Sequence, residues 1–255
     1  MENRKLVFAN WKMNLDIKSS LRLINDIQKA NLFFNNLDIV IAPPGVYLYE
    51  ISKFLEGSHI QLSSQNVFYE NKGPYTGEIS PQMLKDVGCK WVMIGHSERR
   101  QHILETNEMI NKKILLSCNN DLNIICCVGE SYEERRQGKT FNKIGDQLKR
   151  ALRDVSANFL NQIVIGYEPV WVIGSGKAAE ISDINEVHDF IFDQLKLMYP
   201  DSKILPRIVY GGSVNNANIS SIMTLNNVDG VLVGNASLDC DKFCDIVLKV
   251  GNSND

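Results

Sequence analysis

A chain of 255 residues, 44% of them hydrophobic, can bury a sizeable core, and its length suits one large α/β domain or two small ones. The net charge of -3 leaves no electrostatic footprint for nucleic acid or an anionic membrane, so any bound anion must be held by local geometry. No apolar run approaches the ~18–20 residues of a spanning helix. Met1-Glu2-Asn3-Arg4-Lys5 leads into a strand without a signal-peptide core, so a cytoplasmic protein is expected.

Short apolar strands are predicted at 6–10, 38–42, 60–64, 91–95, 123–128, 163–167, 208–210 and 230–233. Runs such as Ile124-Ile125-Cys126-Cys127-Val128 suit strands buried on both faces. Helical stretches lie between them. Ser80-Pro81 places a cap residue before a proline at the first helical position. Ser131-Tyr132-Glu133-Glu134 has the form of a capping box and is read as opening a long helix. Ile184, Val187, Ile191, Leu195 and Met198 recur at helical spacing as one buried stripe. No linker or low-complexity tract divides the chain, so one domain over residues 1–255 is expected. Eight β-α repeats fit an α/β fold of the closed, eight-stranded parallel (β/α)8 kind. An open doubly wound sheet would need a glycine-rich loop after its first strand, where this chain has Asn10-Trp11-Lys12-Met13-Asn14.

Polar residues gather at the carboxyl ends of these strands, the rim on which barrel enzymes assemble their sites. Asn10 and Lys12 follow the first strand, Gln65 and Asn66 the third, His96 to Glu98 the fourth, and Glu130 the fifth. Glu168 follows the sixth, Gly211-Gly212-Ser213 the seventh, and Gly234-Asn235 the eighth. Glu168-Pro169 stops its strand with a carboxylate, because proline has no N–H with which to continue the ladder. Gly174-Ser175-Gly176 then offers a segment that can move and can present N–H groups to an anion. Lys12 is either a solvated surface lysine or a cation over the barrel mouth, with Asn10 as an amide donor to the same oxygen. His96 is either structural or a neutral hydrogen-bond donor, since the N-terminal N–H groups of a Ser-Glu-Arg-Arg turn would lower its pKa. Glu98 could be a helix-start charge, paired with Arg99. The glycines at the last two strand ends either relieve crowding or supply backbone N–H groups to a phosphate.

Histidines at 59, 96, 102 and 188 form no metal-ligand spacing with Cys or Asp, so no metal is expected. A dinucleotide fingerprint and a phosphate-binding lysine loop are both absent. The six cysteines sit in apolar segments with no C-x-x-C pair, as buried free thiols would. Residues 68–78 form a long βα loop carrying Tyr69, Pro74 and Tyr75, an unfavourable exposure for a monomer, so a homodimer is expected.

Seven stretches in order resemble the triosephosphate isomerase family. They are Ala9 to Asn14, Tyr75-Thr76-Gly77-Glu78, Ile94 to Arg100, Cys127-Val128-Gly129-Glu130, Tyr167 to Gly176, Tyr210-Gly211-Gly212-Ser213 and Leu232 to Leu238. Gly-His-Ser-Glu-Arg-Arg and Tyr-Glu-Pro-Val-Trp at this separation are specific to it. The resemblance implies interconversion of dihydroxyacetone phosphate and D-glyceraldehyde 3-phosphate through an enediol(ate), in glycolysis and gluconeogenesis, without a cofactor. Glu168 is implied as the base, His96 as the group that polarises the carbonyl, and Lys12 and Asn10 as oxyanion donors. Gly174, Ser213, Gly234 and Asn235 are implied to hold the phosphate through backbone N–H groups under a closing lid. Thr76 is implied to reach the partner's site in a homodimer. The chain departs from the family at Val172, where alanine is usual, at Ser175, where threonine is usual, and at Asn235, which replaces a glycine. Pro74 and Ser63-Ser64 also differ. Another sugar-phosphate barrel enzyme would need a metal or a Schiff-base lysine, and a non-catalytic binding barrel would not need Asn10, Lys12, His96 and Glu168 together.

Overall fold

The computed structural model describes residues 4–173 and 178–253. Eight parallel strands run β1 Lys5–Asn10, β2 Leu37–Ala42, β3 Gln61–Ser64, β4 Trp91–Ile94, β5 Asn123–Val128, β6 Ile163–Tyr167, β7 Arg207–Tyr210 and β8 Gly230–Val233. Each pairs with the next, and β8 pairs with β1 to close a barrel. All eight expected strands are present, with ends displaced by a residue or so.

Alternation of side chains divides each strand between two apolar environments. Leu6, Phe8, Met93, Cys127, Val164 and Leu232 belong to the cluster that fills the lumen. Their neighbours Val7, Ala9, Val92, Cys126, Ile165 and Val233 join the larger layer between sheet and helices. This is why the strands read as continuous apolar runs. Followed to the carboxyl rim, the lumen-facing parity of β1, β6, β7 and β8 arrives at Asn10, Glu168, Gly211 and Gly234. The ladder also runs one step past the strands, since Glu168 donates its N–H to the Val128 carbonyl at 2.8 Å and Gly211 donates to that of Tyr167 at 2.7 Å. The backbone that carries Glu168 is therefore part of the sheet.

The outer helices follow the sequence signals. Ser80 caps the helix Pro81–Asp86, its hydroxyl accepting from the Met83 N–H. The stripe on the helix Ile181–Met198 is buried at Ile184, Val187, Ile191 and Leu195, with Met198 half-buried. The capping box at Ser131 and Glu134 forms as expected, but it opens a short helix, Tyr132–Arg136. The chain closes there because the Lys139 N–H bonds the Glu134 carbonyl and the Gly138 N–H that of Arg135, a Schellman ending, before a second helix spans Thr140–Ala151.

Gly129 lies where β5 and β6 leave the barrel side by side. A Cβ added there would stand 1.8 Å from the Glu168 carbonyl oxygen, so only glycine permits this approach. Gly129→Ala is expected to destabilise the fold by about 1–3 kcal/mol through forced backbone displacement. A lower urea midpoint at unchanged m-value would bear this out, and an unchanged midpoint would show that the two strand ends can part freely.

Candidate active site

The rim residues meet in a cleft of about 650 Å³ over the barrel mouth, lined by Asn10, Lys12, His96, Glu168, Ser213 and Gly234 among others. Asn235 and Gly211 line it too. Gly174 lies outside the described residues.

Asn10 is a lumen-facing residue and almost fully buried. Its Oδ1 accepts the Lys12 N–H at 2.9 Å, and its Nδ2 lies 3.6 Å from the Met93 sulfur. Lys12 has φ 54, an unfavourable conformation for a residue with a side chain. Gln65 braces it, donating from Nε2 to the Lys12 carbonyl at 2.8 Å and to that of Ala42 at 2.9 Å. The Lys12 ammonium reaches across the cleft to Glu98 at 2.6 Å.

His96 owes its direction to Gly95, whose φ of 74 breaks the β4 alternation. A Cβ at Gly95 would stand 2.8 Å from Ile110 Cδ1. His96 then caps the helix Ser97–His102, with Nδ1 accepting the Glu98 N–H at 3.2 Å. A neutral ring held this way carries its proton on Nε2. Nε2 lies 2.8 Å from Glu168 Oε1, while Glu168 Oε2 accepts the Ser97 N–H at 2.8 Å. Both carboxylate oxygens are thus satisfied in a nearly water-free position, with Glu168 2% exposed.

Burial pulls the His96 pKa down, but the Glu168 carboxylate more than offsets it, and the net direction is upward. Burial likewise pushes Glu168 up, and the facing imidazole, with Ser97 and Lys12, brings it below the ordinary carboxylate value. The expected lowering of His96 by the helix N-terminus is therefore overridden while Glu168 lies against the ring. The reason is distance, a full charge at 2.8 Å against the partial charge of a short helix end.

Other rim residues have structural partners. Glu98 pairs with Lys12, whereas Arg99 lies 3.5 Å from Glu105. Asn66 accepts from the buried Lys113 ammonium at 2.7 Å, which also bonds Glu105. Glu130 is fully buried and accepts from Tyr167 Oη at 3.2 Å and Trp171 Nε1 at 3.0 Å. Burial raises its pKa. It anchors the aromatic that follows Pro169 and takes no place in the cleft lining. Val172 is buried, 2% exposed, and its N–H bonds the Pro169 carbonyl at 3.0 Å. Sequence reasoning noticed Gln65 without giving it a task, because its use depends on the conformation of Lys12. The Ser97 N–H could not have been found, since a backbone donor leaves no residue-type signal. Among the described residues no group of three His, Cys, Asp or Glu side chains is placed to hold a metal ion. His188 is buried against the Asn227 carbonyl, and burial lowers it to about 4. All six thiols are free.

Comparison with known proteins bears on the same cleft. A family model described as triosephosphate isomerase matches residues 5–250. A triosephosphate isomerase from Thermoanaerobacter sp. (strain X514) is 44% identical over 245 residues, covering 96% of this chain and 98% of the relative. One from Dictyoglomus thermophilum is 46% identical over 246 residues, with the same coverage. A crystal structure of triosephosphate isomerase from Bartonella henselae superimposes with a TM-score of 0.87 at 34% identity, over 96% of this chain and 98% of that one.

Because the carboxylate is what holds the imidazole pKa up, Glu168→Gln should drop it. Titration of the His96 ring by NMR is expected to give a value above the ordinary ~6.5 in the parent and below it in the variant. An equal or higher value in Glu168→Gln would mean that Glu98 and the rest of the cleft, and not Glu168, govern the ring.

Proposed function

The chain belongs to the triosephosphate isomerase family, and on that basis we propose that Glu168 is its base, His96 its electrophile, and Lys12 and Asn10 its oxyanion donors. It is an isomerase that interconverts dihydroxyacetone phosphate and D-glyceraldehyde 3-phosphate, a step of glycolysis. The observation that carries the assignment of roles is the 2.8 Å contact of Glu168 with His96 Nε2 in a cleft that Lys12 also lines.

The reaction moves a proton between adjacent carbons, one of them a carbonyl, and needs a base and an electrophile. Glu168 takes the proton from the carbon beside the carbonyl. The C–H electron pair becomes the C=C bond of an enediolate, the carbonyl pair moves onto oxygen, and Glu168 returns the proton to the neighbouring carbon. The single Nε2–H of His96 cannot bond Glu168 and a substrate oxygen together. Substrate entry therefore turns the Nε2–H hydrogen bond from Glu168 to the carbonyl oxygen and releases the carboxylate towards the carbon acid. Departure of the carboxylate also removes what raises the imidazole pKa. Burial and the helix N-terminus then hold the ring neutral, the form that polarises an oxygen and shuttles a proton between the two. Lys12 adds positive charge where the oxyanion develops, and Asn10 an amide donor.

The phosphate is held by backbone N–H groups of Ser213, Gly234 and Asn235, with a further donor proposed from Gly174, in the implied lid outside the described residues. Asn235 opens a short 3-10 helix whose first internal bond is the Ser237 N–H to the Gly234 carbonyl. The Asn235 N–H lies outside that turn's own bonding, which suits an anion. Closure of the lid excludes water and protects the enediolate from losing phosphate.

The chain acts as a single domain over residues 1–255 and as a homodimer in the cytoplasm. Among the described residues no helix is long and apolar enough to cross a membrane. Support for the dimer comes from apolar side chains left in solvent, with Met13 95%, Val46 83% and Leu104 75% exposed. In the loop 68–78, Phe68 stacks with Tyr69 and packs against Tyr75, a preformed knob with Thr76 exposed on it. Thr76 then meets Asn10 and Lys12 of the partner subunit.

Glu168→Asp withdraws the carboxylate by one C–C bond, and a misplacement of ~1 Å should lower kcat on the order of 10²-fold with KM little changed. A coupled assay checks this, and near-parental turnover would remove Glu168 as the base. Sedimentation at micromolar concentration should give twice the mass of the chain. A fully active monomer would refute the shared site.

A further inference from the structure

Among the described residues, the acidic and lysine side chains that line the cleft are Lys12, Glu98, Glu168 and Lys242, with His96 against Glu168. Lys12 and Glu98 neutralise each other at 2.6 Å, and Glu168 is a buried carboxylate. Among the described lining residues this leaves Lys242 as the lysine not engaged by a carboxylate of the cleft itself, and the substrate is a phosphate monoester, close to a dianion at neutral pH. Lys242 is the third residue of the helix Cys240–Gly251, which follows directly on the Asn235–Leu238 turn at the phosphate end of the cleft.

The connections of Lys242 divide between backbone and side chain. Its N–H donates to Asp239 Oδ1 at 3.1 Å and thereby caps the helix. Its ammonium lies 3.4 Å from Asp239 Oδ2, with side-chain exposures of 62% and 47%. An ion pair that open to water is weak and readily exchanged. The cap does not use the ammonium, so the side chain can leave Asp239 for another anion without uncapping the helix.

We infer that Lys242 is a further substrate-binding residue, a side-chain cation for the phosphate dianion that supplements the backbone N–H groups at Gly234 and Asn235. This rests on the isomerase assignment above. Its role is in capture and ground-state binding of the phosphorylated substrate, remote from the reacting carbons. Being exposed, it acts through a field that salt screens within about 10 Å at 0.1 M ionic strength.

Lys242→Ala, Lys242→Glu and Lys242→Arg test this, each checked for parental circular dichroism. For Lys242→Ala at low salt, KM for glyceraldehyde 3-phosphate and Ki for inorganic phosphate should both rise about three- to tenfold, with kcat within about twofold. Lys242→Glu should be worse, Lys242→Arg close to the parent, and the fall of kcat/KM with added salt shallower in Lys242→Ala. Turnover of D-glyceraldehyde, which lacks the phosphate, should not change. Unchanged KM, Ki and salt slope in Lys242→Ala would overturn the inference, and so would an equal loss on D-glyceraldehyde, which would mark a structural role. If the parent itself fails to isomerise triose phosphate, the family activity is at fault. Calorimetric binding of inorganic phosphate to parent and Lys242→Ala then still decides the role of Lys242, since equal affinities would reject it.

Discussion

Closure of β8 onto β1 is the constraint from which the site follows. Leu6 to Ala9 pair in register with Gly230 to Val233, so no strand keeps a free edge. Every side chain then has two destinations, the lumen or the layer beneath the helices. The lumen is packed with apolar groups such as Phe8, Met93 and Leu232 up to the rim. The residues that continue its rows therefore stand over a solid floor, and Asn10 and Glu168 are among them. Backbone bonds beyond the strands, such as Glu168 to Val128, extend the rigidity of the sheet to the atoms that carry the chemistry.

The charges of the cleft are held in pairs that a substrate must open. A buried carboxylate without partners would cost several kcal/mol, and Glu168 avoids this by accepting from His96 and Ser97. Lys12 is likewise occupied by Glu98. The resting arrangement is stable because each charge is compensated locally. In the mechanism proposed above it is also switched, as the imidazole N–H and the ammonium turn to a developing oxyanion. The same pairing raises the pKa of His96, because the facing carboxylate more than offsets burial.

Support for these groups comes from buried polar residues one layer further out. Gln65 fixes the carbonyl of Lys12, whose positive φ would otherwise be costly. Glu130 gathers Tyr167, Trp171 and Arg135, tying the end of β6 to the aromatic that follows Pro169. Lys113 joins Glu105 to Asn66 and so connects the loop after β3 to the helices that follow β4. None of the three lines the cleft, yet each fixes a segment that adjoins it.

Much of this was legible in the sequence. Apolar runs, caps and the helical stripe are local signals, because a strand's burial on two faces and a helix's on one are written in residue order. Polar residues at successive strand ends located the rim, and motif resemblance supplied the roles proposed for Asn10, Lys12, His96 and Glu168. The split of the predicted long helix after Arg136 was missed, since the Schellman bonds at Gly138 and Lys139 outweigh a periodicity that continues past them. Residue order by itself therefore determined the fold and the rim, including Asn10, Lys12, His96 and Glu168, but not that Glu130 and Asn66 turn away from the cleft. Only the tertiary structure decided how those groups are charged and held. Whether His96 feels a helix end or a carboxylate, whether Glu98 pairs with Arg99 or Lys12, and whether Glu130 reacts or supports depend on distances between strands remote in sequence. Electrostatic and hydrogen-bond energies change over an ångström, a scale that alternation and spacing along the chain do not encode.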